Sequence, residues 1–359
     1  MFLRWLALGV LMVLPLCEPV AAGGTGFAEV PGDQGSLTLY VDNDRSLNID
    51  SDYTSGIRLS WVSPELKHGA WSMFDQALGY LAGAQGRETW LGRLKGYGRG
   101  NALLRQRSFS FTHLMYTPFD EQATRPPPGQ HPYAGWLGLG FGASVSGERS
   151  VSSADLMLGV IGPAAGGQEV QDTFHSIRNT TRFSGWDSQV PNEVTLNLYL
   201  NTKRKISWAS RGRREGWGTD TIWHSGLAIG NFKTQATLGS MMRLGWNLPD
   251  EVRDMRLSES AQRQAGFLST AVQADGLSAY AFLGVELRGV LHDAVLDGPL
   301  FSDFDTGVSK EPVIGDLYVG FALSYHGIDF GISHTFQSDR YKSQLKNDDY
   351  SSFYVSVRY

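Results

Sequence analysis

Cysteine is nearly absent from this sequence of 359 residues, which contains only Cys17. It lies within residues 1–22, where Arg4 precedes an apolar run and Ala22 follows it, a pattern typical of a secretory signal peptide cleaved after Ala22. A lipoprotein signal is the less favoured alternative, because the bulky Leu16 precedes the cysteine where a small residue is normally needed. The exported protein is therefore expected to lack thiols, so any metal would need oxygen or histidine ligands.

Long apolar runs and excess positive charge are also missing. Beyond the signal segment there is no run of roughly 18 apolar residues, so the sequence provides no transmembrane helix. The 31 Lys and Arg residues are outnumbered by 36 Asp and Glu, and without a polybasic tract nucleic acid is not expected as a partner. Glycine and aromatic residues are abundant instead, with 43 Gly, 18 Phe, 14 Tyr and 10 Trp, which favours one large β structure over two soluble domains.

Large apolar residues alternate with small or polar ones in many stretches, such as "SLTLYV" at 36–41, "RSFSFTHLMY" at 107–116 and "IDFGISHTF" at 328–336. A period of two predicts strands with two unlike faces. In a soluble sandwich the apolar face points inward, whereas in an outer-membrane barrel it faces lipid and the polar face lines the lumen. The alternation alone is compatible with both.

The last segment, "SSFYVSVRY", favours the barrel. Phe353, Val355, Val357 and Tyr359 fall on one face, which resembles the terminal strand of bacterial outer-membrane barrels, where the last strand pairs with the first. The end of a soluble protein more often frays. Together with the signal peptide, this predicts an all-β fold in which residues 23–359 form a single twelve-stranded antiparallel transmembrane β-barrel of the bacterial outer membrane. A soluble periplasmic sandwich is the alternative.

Twelve strands can be placed, an even number as a closed antiparallel bacterial barrel requires. They are predicted at residues 36–43, 54–63, 105–116, 133–146, 152–162, 193–203, 220–230, 234–247, 276–290, 313–325, 328–337 and 352–359. If both termini lie in the periplasm, the odd-numbered connections face the cell exterior: 44–53, 117–132, 163–192, 231–233, 291–312 and 338–351. The even-numbered connections then face the periplasm, including 64–104 and 248–275, which are unusually long for periplasmic turns.

The first outer connection is rich in oxygen-bearing side chains. Asn43 and Asp44 stand at the end of the first strand, and Thr54 stands at the start of the second. Oxygen ligands at this density suit calcium. Asp and Asn are also common in ordinary turns, because their side chains satisfy local backbone groups. A calcium site and plain turn chemistry both account for the pattern.

The third outer connection carries the clearest chemistry. In "GPAAGGQEVQDTFH" at 162–175, proline and glycines break the strand, and the following residues can form a short helix. On that helix Gln171 and His175 are four residues apart and share one face. A histidine held beside an amide can act as a general base; the alternative is a loop histidine that only hydrogen-bonds to a neighbour. Arg125, in the second outer connection, is predicted at the same rim.

Three segments together resemble a known family. The stretches "NDRSLNIDSDYTSGIRLSW", "YTPFD…RPPPGQHPYAGWLGLG" and "GVIGPAAGGQEVQDTFH" are similar, in the same order, to signature segments of the lipid A 3′-O-deacylases, the LpxR family. The C-terminal segment resembles it more loosely. The resemblance implies a twelve-stranded outer-membrane barrel and a calcium-dependent esterase that removes the 3′-acyloxyacyl group of lipid A. It also implies lipid A or lipopolysaccharide as substrate, outer-membrane lipids as surroundings, and a monomer.

The resemblance further implies a set of site residues. The Asn-Asp pair of the family falls on Asn43 and Asp44, its Thr or Ser on Thr54, and its Gln and His on Gln171 and His175. The hypothesis is that His175 takes a proton from an attacking water while Ca²⁺ held through Asp44 stabilises the oxyanion. Asn43 and Gln171 would orient the histidine or the waters on the metal, and Thr54 would donate a hydrogen bond to the oxyanion.

Two positions depart from the family pattern. Of the basic residues in the second outer loop that can meet substrate phosphate, only Arg125 remains, and Thr181 stands where the family has an acidic residue six positions after the histidine. Two other functions stay open, a non-enzymatic porin or structural barrel and an envelope phospholipase with a Ser-His pair. The sequence contains no G-x-S-x-G motif, so a serine nucleophile of the hydrolase type has no support.

Overall fold

Twelve antiparallel strands form a closed barrel, in which each strand pairs with its neighbours in sequence and β1 pairs with β12. The strands are β1 (Ser36–Asn43), β2 (Asp52–Val62), β3 (Leu104–Thr117), β4 (Ala134–Ser146), β5 (Ser150–Ile161), β6 (Glu193–Ser207), β7 (Trp217–Gly230), β8 (Lys233–Trp246), β9 (Ser278–Asp293), β10 (Val313–Tyr325), β11 (Ile328–Gln337) and β12 (Tyr350–Arg358). The predicted fold class is confirmed. All twelve strands lie where the alternation predicts them, with ends that differ by a few residues.

This computed structural model describes residues 35–43, 52–66, 75, 104–120, 122–146, 149–178, 183–207, 216–249, 256–257, 276–345 and 349–359. The predicted signal segment 1–22, Asp44 and Thr181 lie outside the described residues. Thr54 is described only through its backbone in β2. None of the described helices is long and apolar enough to cross a membrane.

The two faces of the strands have opposite character. Large apolar side chains are exposed on the outer surface of the barrel, including Leu59, Phe111, Phe141, Leu196, Leu238 and Leu287. Charged and polar side chains on the other face are buried in the lumen, including Asp155, Asp220, Arg243 and Asp316. An apolar outer surface around a polar interior is the pattern of a membrane barrel and the reverse of a soluble sandwich. Of the two folds that the alternation allows, the structure is therefore the barrel.

Closure of the barrel involves the last strand as predicted. Residues of β12 pair along the whole of β1, with Val355 opposite Leu39 and Val357 opposite Leu37. The indole of Trp61 on β2 donates a hydrogen bond to the hydroxyl of Tyr359. The C-terminal residue is thereby tied to the wall across the closing strand pair.

We call the end of the barrel that carries the connections β1–β2, β3–β4 and β5–β6 the upper end. Within its connections, the segment 338–345 packs against residues 122–133 and 294–312. The ring of His131 stacks on Tyr116 with centroids 5.4 Å apart, and the guanidinium of Arg340 lies 5.3 Å from the centroid of the same tyrosine ring. Ser343 donates to the carbonyl of Gly129 at 2.8 Å. These contacts join the β3–β4 and β11–β12 connections to each other and to β3 at the upper end.

The predicted connection 248–275 does not lie entirely below the barrel. Arg256, which belongs to it, pairs inside the lumen with Glu286 at 3.0 Å and Asp316 at 2.6 Å. The backbone N–H of Leu257 donates to Asp42 on β1 at 3.2 Å. At least this part of the connection therefore fills the lumen, which gives a reason for its length that the sequence did not supply.

Candidate active site on the outer wall of the barrel

The chain leaves β5 through a short 3₁₀ turn, Pro163–Ala165, and then forms the helix α1 (Gly167–Arg178). Gly162 and Gly166 flank the turn with φ of 100° and 69°, a region that favours glycine because a side chain would clash there. Pro163 suits the first position of the turn because it has no N–H to satisfy. The predicted strand break and the predicted short helix are both confirmed.

Helix α1 begins against the outer surface of the wall. Gly135 on β4 has the same orientation as the exposed Leu139 and Phe141, and a Cβ placed on it would lie 3.3 Å from the Cα of Gly167. The ring of His113, which faces outward from β3, donates a hydrogen bond from Nε2 to the carbonyl of Ala165 at 2.9 Å. The helix and its preceding turn are thus fixed to β3 and β4 outside the barrel.

Gln171 and His175 are both buried, with 2% and 6% of their surfaces exposed. These two polar side chains therefore do not belong to a solvated helix face and are covered by other parts of the protein. Asp172 and Thr173 between them are partly or fully exposed. The predicted sharing of one helix face by Gln171 and His175 is therefore realised in the fold.

An aromatic cluster supports this face of the helix. Trp186 lies in a second 3₁₀ turn, Trp186–Ser188, and its indole Nε1 donates to Oε1 of Gln171 at 2.7 Å. Phe183 contacts the ring of His175 with centroids 5.7 Å apart, and Tyr133 packs against Trp186 at 5.3 Å. Sequence reasoning missed all three aromatic residues, although "FSGW" at 183–186 places two of them just after the helix.

The amide nitrogen of Gln171 is the unusual atom of the site. Its Nε2 is fully covered, and no residue in the described part of the chain accepts a hydrogen bond from it. A buried donor without a partner costs roughly 1–3 kcal/mol, and such atoms are rare in native proteins. A bound oxygen atom, from a ligand or from water, would satisfy it.

Asn43 lies on the same outer surface at the same end of the barrel. It pairs with Ser55 on β2, Ser55 pairs with Met115 on β3, and Met115 pairs with Gly135 on β4. This outward-facing row runs across four strands from Asn43 to the first residue of α1. Three strand spacings amount to about 14 Å, and a twelve-residue helix is about 18 Å long, so α1 is long enough to reach back across the row.

The outer side of β3 is also covered near the upper end. Met115 and Thr117 face outward from β3, as the exposed Phe109 and Phe111 do lower on the same strand, yet they are 3% and 0% exposed. The upper part of β3 is therefore covered on its outer side. Asn43 on β1 and the start of α1 thus lie at the two ends of one outward-facing row, and the part of β3 between them is covered.

The second strand has an irregularity at the predicted Thr54. Its pairing register with β3 shifts between Tyr53 and Ser55, so Thr54 is the extra residue of a β-bulge, a feature that changes the direction of a side chain and is common beside active sites.

Arg125 is exposed in the β3–β4 connection at the upper end. Within the described residues, no three His, Cys, Asp or Glu side chains converge as a metal site would require.

The chain was compared with known proteins. LpxR from Salmonella typhimurium has a similar structure, with a TM-score of 0.68 and 19% sequence identity over 90% of this chain and 99% of that one. The β domain of the Bordetella autotransporter BrkA has a TM-score of 0.41 and 10% identity over 91% and 97% of the two chains. Comparison with curated proteins gives no match. At 19% identity the first likeness shows a common fold.

A family model, described as outer membrane protein LpxR, matches residues 6–359, nearly the whole chain. This match confirms the resemblance that the segments around Asn43 and His175 indicate. It agrees with the closed twelve-stranded barrel and its apolar outer surface, and it locates the protein in the outer membrane. The chain therefore belongs to the LpxR family of outer membrane proteins.

Proposed function

We propose that this protein is a carboxylic ester hydrolase that removes the 3′-O-linked acyloxyacyl group from lipid A in the outer leaflet of the outer membrane. Membership of the LpxR family supports a lipid A deacylase. The observation that carries the proposal is the buried Gln171–His175 face of α1, a helix that begins at the outer wall of the barrel. A lipid bound there could keep its acyl chains in the bilayer while its ester meets polar groups.

His175 is the proposed general base. Its ring is held by α1 and packed against Phe183, so its position is fixed before substrate binds, which favours proton transfer in a defined geometry. It would accept a proton from the water that attacks the ester carbonyl. When the alkoxide of the sugar leaves, the same proton would return to it.

Asn43 and Thr54 are proposed to act from the wall. Asn43 would orient the attacking water or the histidine through its amide, since it lies on the outward-facing row that ends at α1. The hydroxyl of Thr54, at the β-bulge, would donate a hydrogen bond to the developing oxyanion. Both side chains belong to strands, which hold functional groups more rigidly than loops do.

Calcium is the proposed cofactor, with Asp44 as its ligand. The donors at this position fit the ion, because Asn43 and the adjoining Asp44 offer amide and carboxylate oxygens of the kind that calcium prefers. Asp44 itself lies outside the described residues. When bound, calcium supplies Lewis acidity that polarises the ester carbonyl. Arg125 is proposed to contact a phosphate of lipid A from the exposed upper rim.

The lumen argues against the alternative of an open porin. Arg256 with Leu257 occupies part of the interior, and the upper connections are hydrogen-bonded to one another. A porin would conduct ions and would not depend on His175. A Ser-His phospholipase would release fatty acid from phospholipid and lose activity when one serine is replaced.

The test is mass spectrometry of lipid A from cells that express the wild type, His175→Ala or a matched control, His326→Ala, which replaces an exposed histidine in the β10–β11 turn. We expect loss of the 3′-acyloxyacyl group with the wild type and with His326→Ala, and intact lipid A with His175→Ala. Purified protein should also stop working when a calcium chelator is added. Intact 3′ acylation with the wild type, or equal activity of His175→Ala, would show that the proposal is wrong.

A further inference from the structure

The contact between Trp186 and Gln171 decides which end of the glutamine amide is available. An indole nitrogen can only donate a hydrogen bond. Because Nε1 of Trp186 lies 2.7 Å from Gln171, the atom that it meets must be the amide oxygen, and the NH₂ group must point the other way. A glutamine without such a partner could turn its amide over and present oxygen in place of nitrogen.

Trp186 is itself firmly held. Its indole packs against Tyr133 and against the start of α1, where a Cβ on Gly167 would lie 2.8 Å from the ring. A Cβ on Gly185 would lie 2.4 Å from the ring of Tyr133, so the turn that carries Trp186 approaches this ring as closely as a glycine permits. The side chain of Trp186 is 1% exposed, so the surrounding atoms hold its indole in the position that meets Gln171.

We infer that Trp186 is a positioning residue, which fixes the amide of Gln171 so that Nε2 donates a hydrogen bond to the carbonyl oxygen of the bound ester. This inference rests on the proposed function. It is supported by the burial of Nε2 without a partner among the described residues and by the shared helix face of Gln171 and His175. A group that must meet a carbonyl oxygen has to be a donor, and the indole ensures that it is one.

In this role Gln171 acts as a hydrogen-bond donor and not as an acceptor. The amide oxygen of Gln171 receives the indole N–H, whereas the amide nitrogen has no partner among the described residues. The nitrogen is left for an oxygen atom that carries growing negative charge. Donors aimed at such an oxygen strengthen their interaction as the reaction proceeds, and they therefore affect kcat more than KM.

The experiment compares four variants with the wild type in a deacylation assay on lipid A with calcium present. Gln171→Glu keeps the size and the acceptor for Trp186 but removes the donor, and Gln171→Met removes the donor without adding charge. Trp186→Phe keeps an aromatic ring but lacks the N–H. Gln168→Glu is the matched control, because Gln168 lies exposed on the same helix.

We expect Gln171→Glu and Gln171→Met each to lower kcat by about 100-fold or more with little change in KM, as loss of a single oxyanion donor does. Trp186→Phe should lower kcat by about 10-fold, the size typical of losing a hydrogen bond that orients a functional group. Gln168→Glu should behave like the wild type. Thermal unfolding followed by circular dichroism checks that each barrel is folded.

The double variant separates positioning from packing. The two oxygens of a carboxylate are equivalent, so in a Gln171→Glu background Trp186 has no orientation to fix, and adding Trp186→Phe should cost less than twofold further. A purely structural role for Trp186 predicts the same 10-fold loss in both backgrounds, and that result would overturn the inference.

Different experimental results would contradict the inference about Trp186 and the proposed function. An active wild type, an inactive His175→Ala and an unchanged Trp186→Phe would overturn the inference alone. A wild type that leaves lipid A intact would overturn both.

Discussion

At the scale of single residues, Thr54 is the strongest candidate on the wall for direct contact with the reacting ester. It is the extra residue where the β2–β3 register shifts, so its backbone is distorted in a way that plain pairing would not require. We expect Thr54→Ala to lower kcat by about 100- to 1000-fold, the cost of losing one oxyanion donor. Thr54→Ser should keep most activity, because the hydroxyl remains. Equal losses in the two variants of the deacylation assay would point to packing by the threonine methyl group.

We propose that Arg125 takes part in substrate binding and not in the chemical step. It is exposed at the upper rim, where its guanidinium can meet a phosphate that both the substrate and its transition state carry. Uniform binding of this kind changes KM and leaves kcat nearly constant. We expect Arg125→Ala to raise KM about 10-fold, as charge-assisted hydrogen bonds of about 1.5–3 kcal/mol imply. Arg149→Ala, in the turn at the opposite end, is the control, and a matching effect there would contradict a local role.

The sequence shows some of these residues and hides others for a physical reason. Gln171 and His175 could be predicted because the helical repeat places residues four apart on one face. The contact from Trp186 to Gln171 could not, because it joins a helix to a later turn and depends on tertiary packing. The row from Asn43 to Gly135 became visible only after the pairing registers of four strands were known.

At the scale of elements, the junction between α1 and β4 is the feature on which the site depends. Gly135 and Gly167 are in contact because neither has a side chain. We expect Gly135→Val to push the start of α1 away from the wall and lower kcat at least 10-fold, while the barrel still folds. Gly289→Val is the matched control, since Gly289 faces outward on β9 and a Cβ added to it would have no other atom within 4 Å among the described residues. Similar losses of activity in the two variants would show that the junction has no special role.

The strands themselves were largely predictable, and the exceptions follow from the environment of a barrel. Strand β6 extends to Ser207, past the predicted end at residue 203. The run "TKRKIS" reads as a polar loop in sequence, yet Lys203 and Lys205 are buried on the lumen side while Ile206 is exposed outside. A polar lumen accepts charges that a soluble core would exclude, so charge alone does not end a strand here.

At the scale of the whole molecule, closure of the barrel followed from the alternating pattern, but the filling of its lumen did not. Residues 256–257 come from a connection that the alternation assigns to the periplasmic side. Their contacts with Asp42, Glu286 and Asp316 join β1 to the neighbouring strands β9 and β10, which lie far from β1 along the chain. No local pattern indicates such contacts, because they depend on which side chains the closed barrel brings together.

Arg256 provides a test of how much this lumen network stabilises the barrel. Its guanidinium bonds to Glu286 and Asp316 and lies 4.2 Å from the ring centroid of Tyr318. We expect Arg256→Met to lower the free energy of unfolding by about 3 kcal/mol, because the buried carboxylates of Glu286 and Asp316 then share fewer positive charges. The measurement is urea unfolding of protein inserted in lipid vesicles.

Lys310→Met is the control for that measurement. It also removes an ion pair, between Lys310 and Asp297 at 2.8 Å, but both side chains of this pair are partly exposed to solvent. A partly exposed pair contributes only about 0–1 kcal/mol, so this variant should unfold nearly as the wild type does. Adding Glu286→Leu to Arg256→Met should recover part of the lost stability, since replacing a buried pair by apolar residues can be close to neutral. The other carboxylate, Asp316, keeps its ion pair with Arg288 at 2.9 Å. Equal losses for Arg256→Met and Lys310→Met would mean that the segment in the lumen contributes no more to stability than a surface contact does.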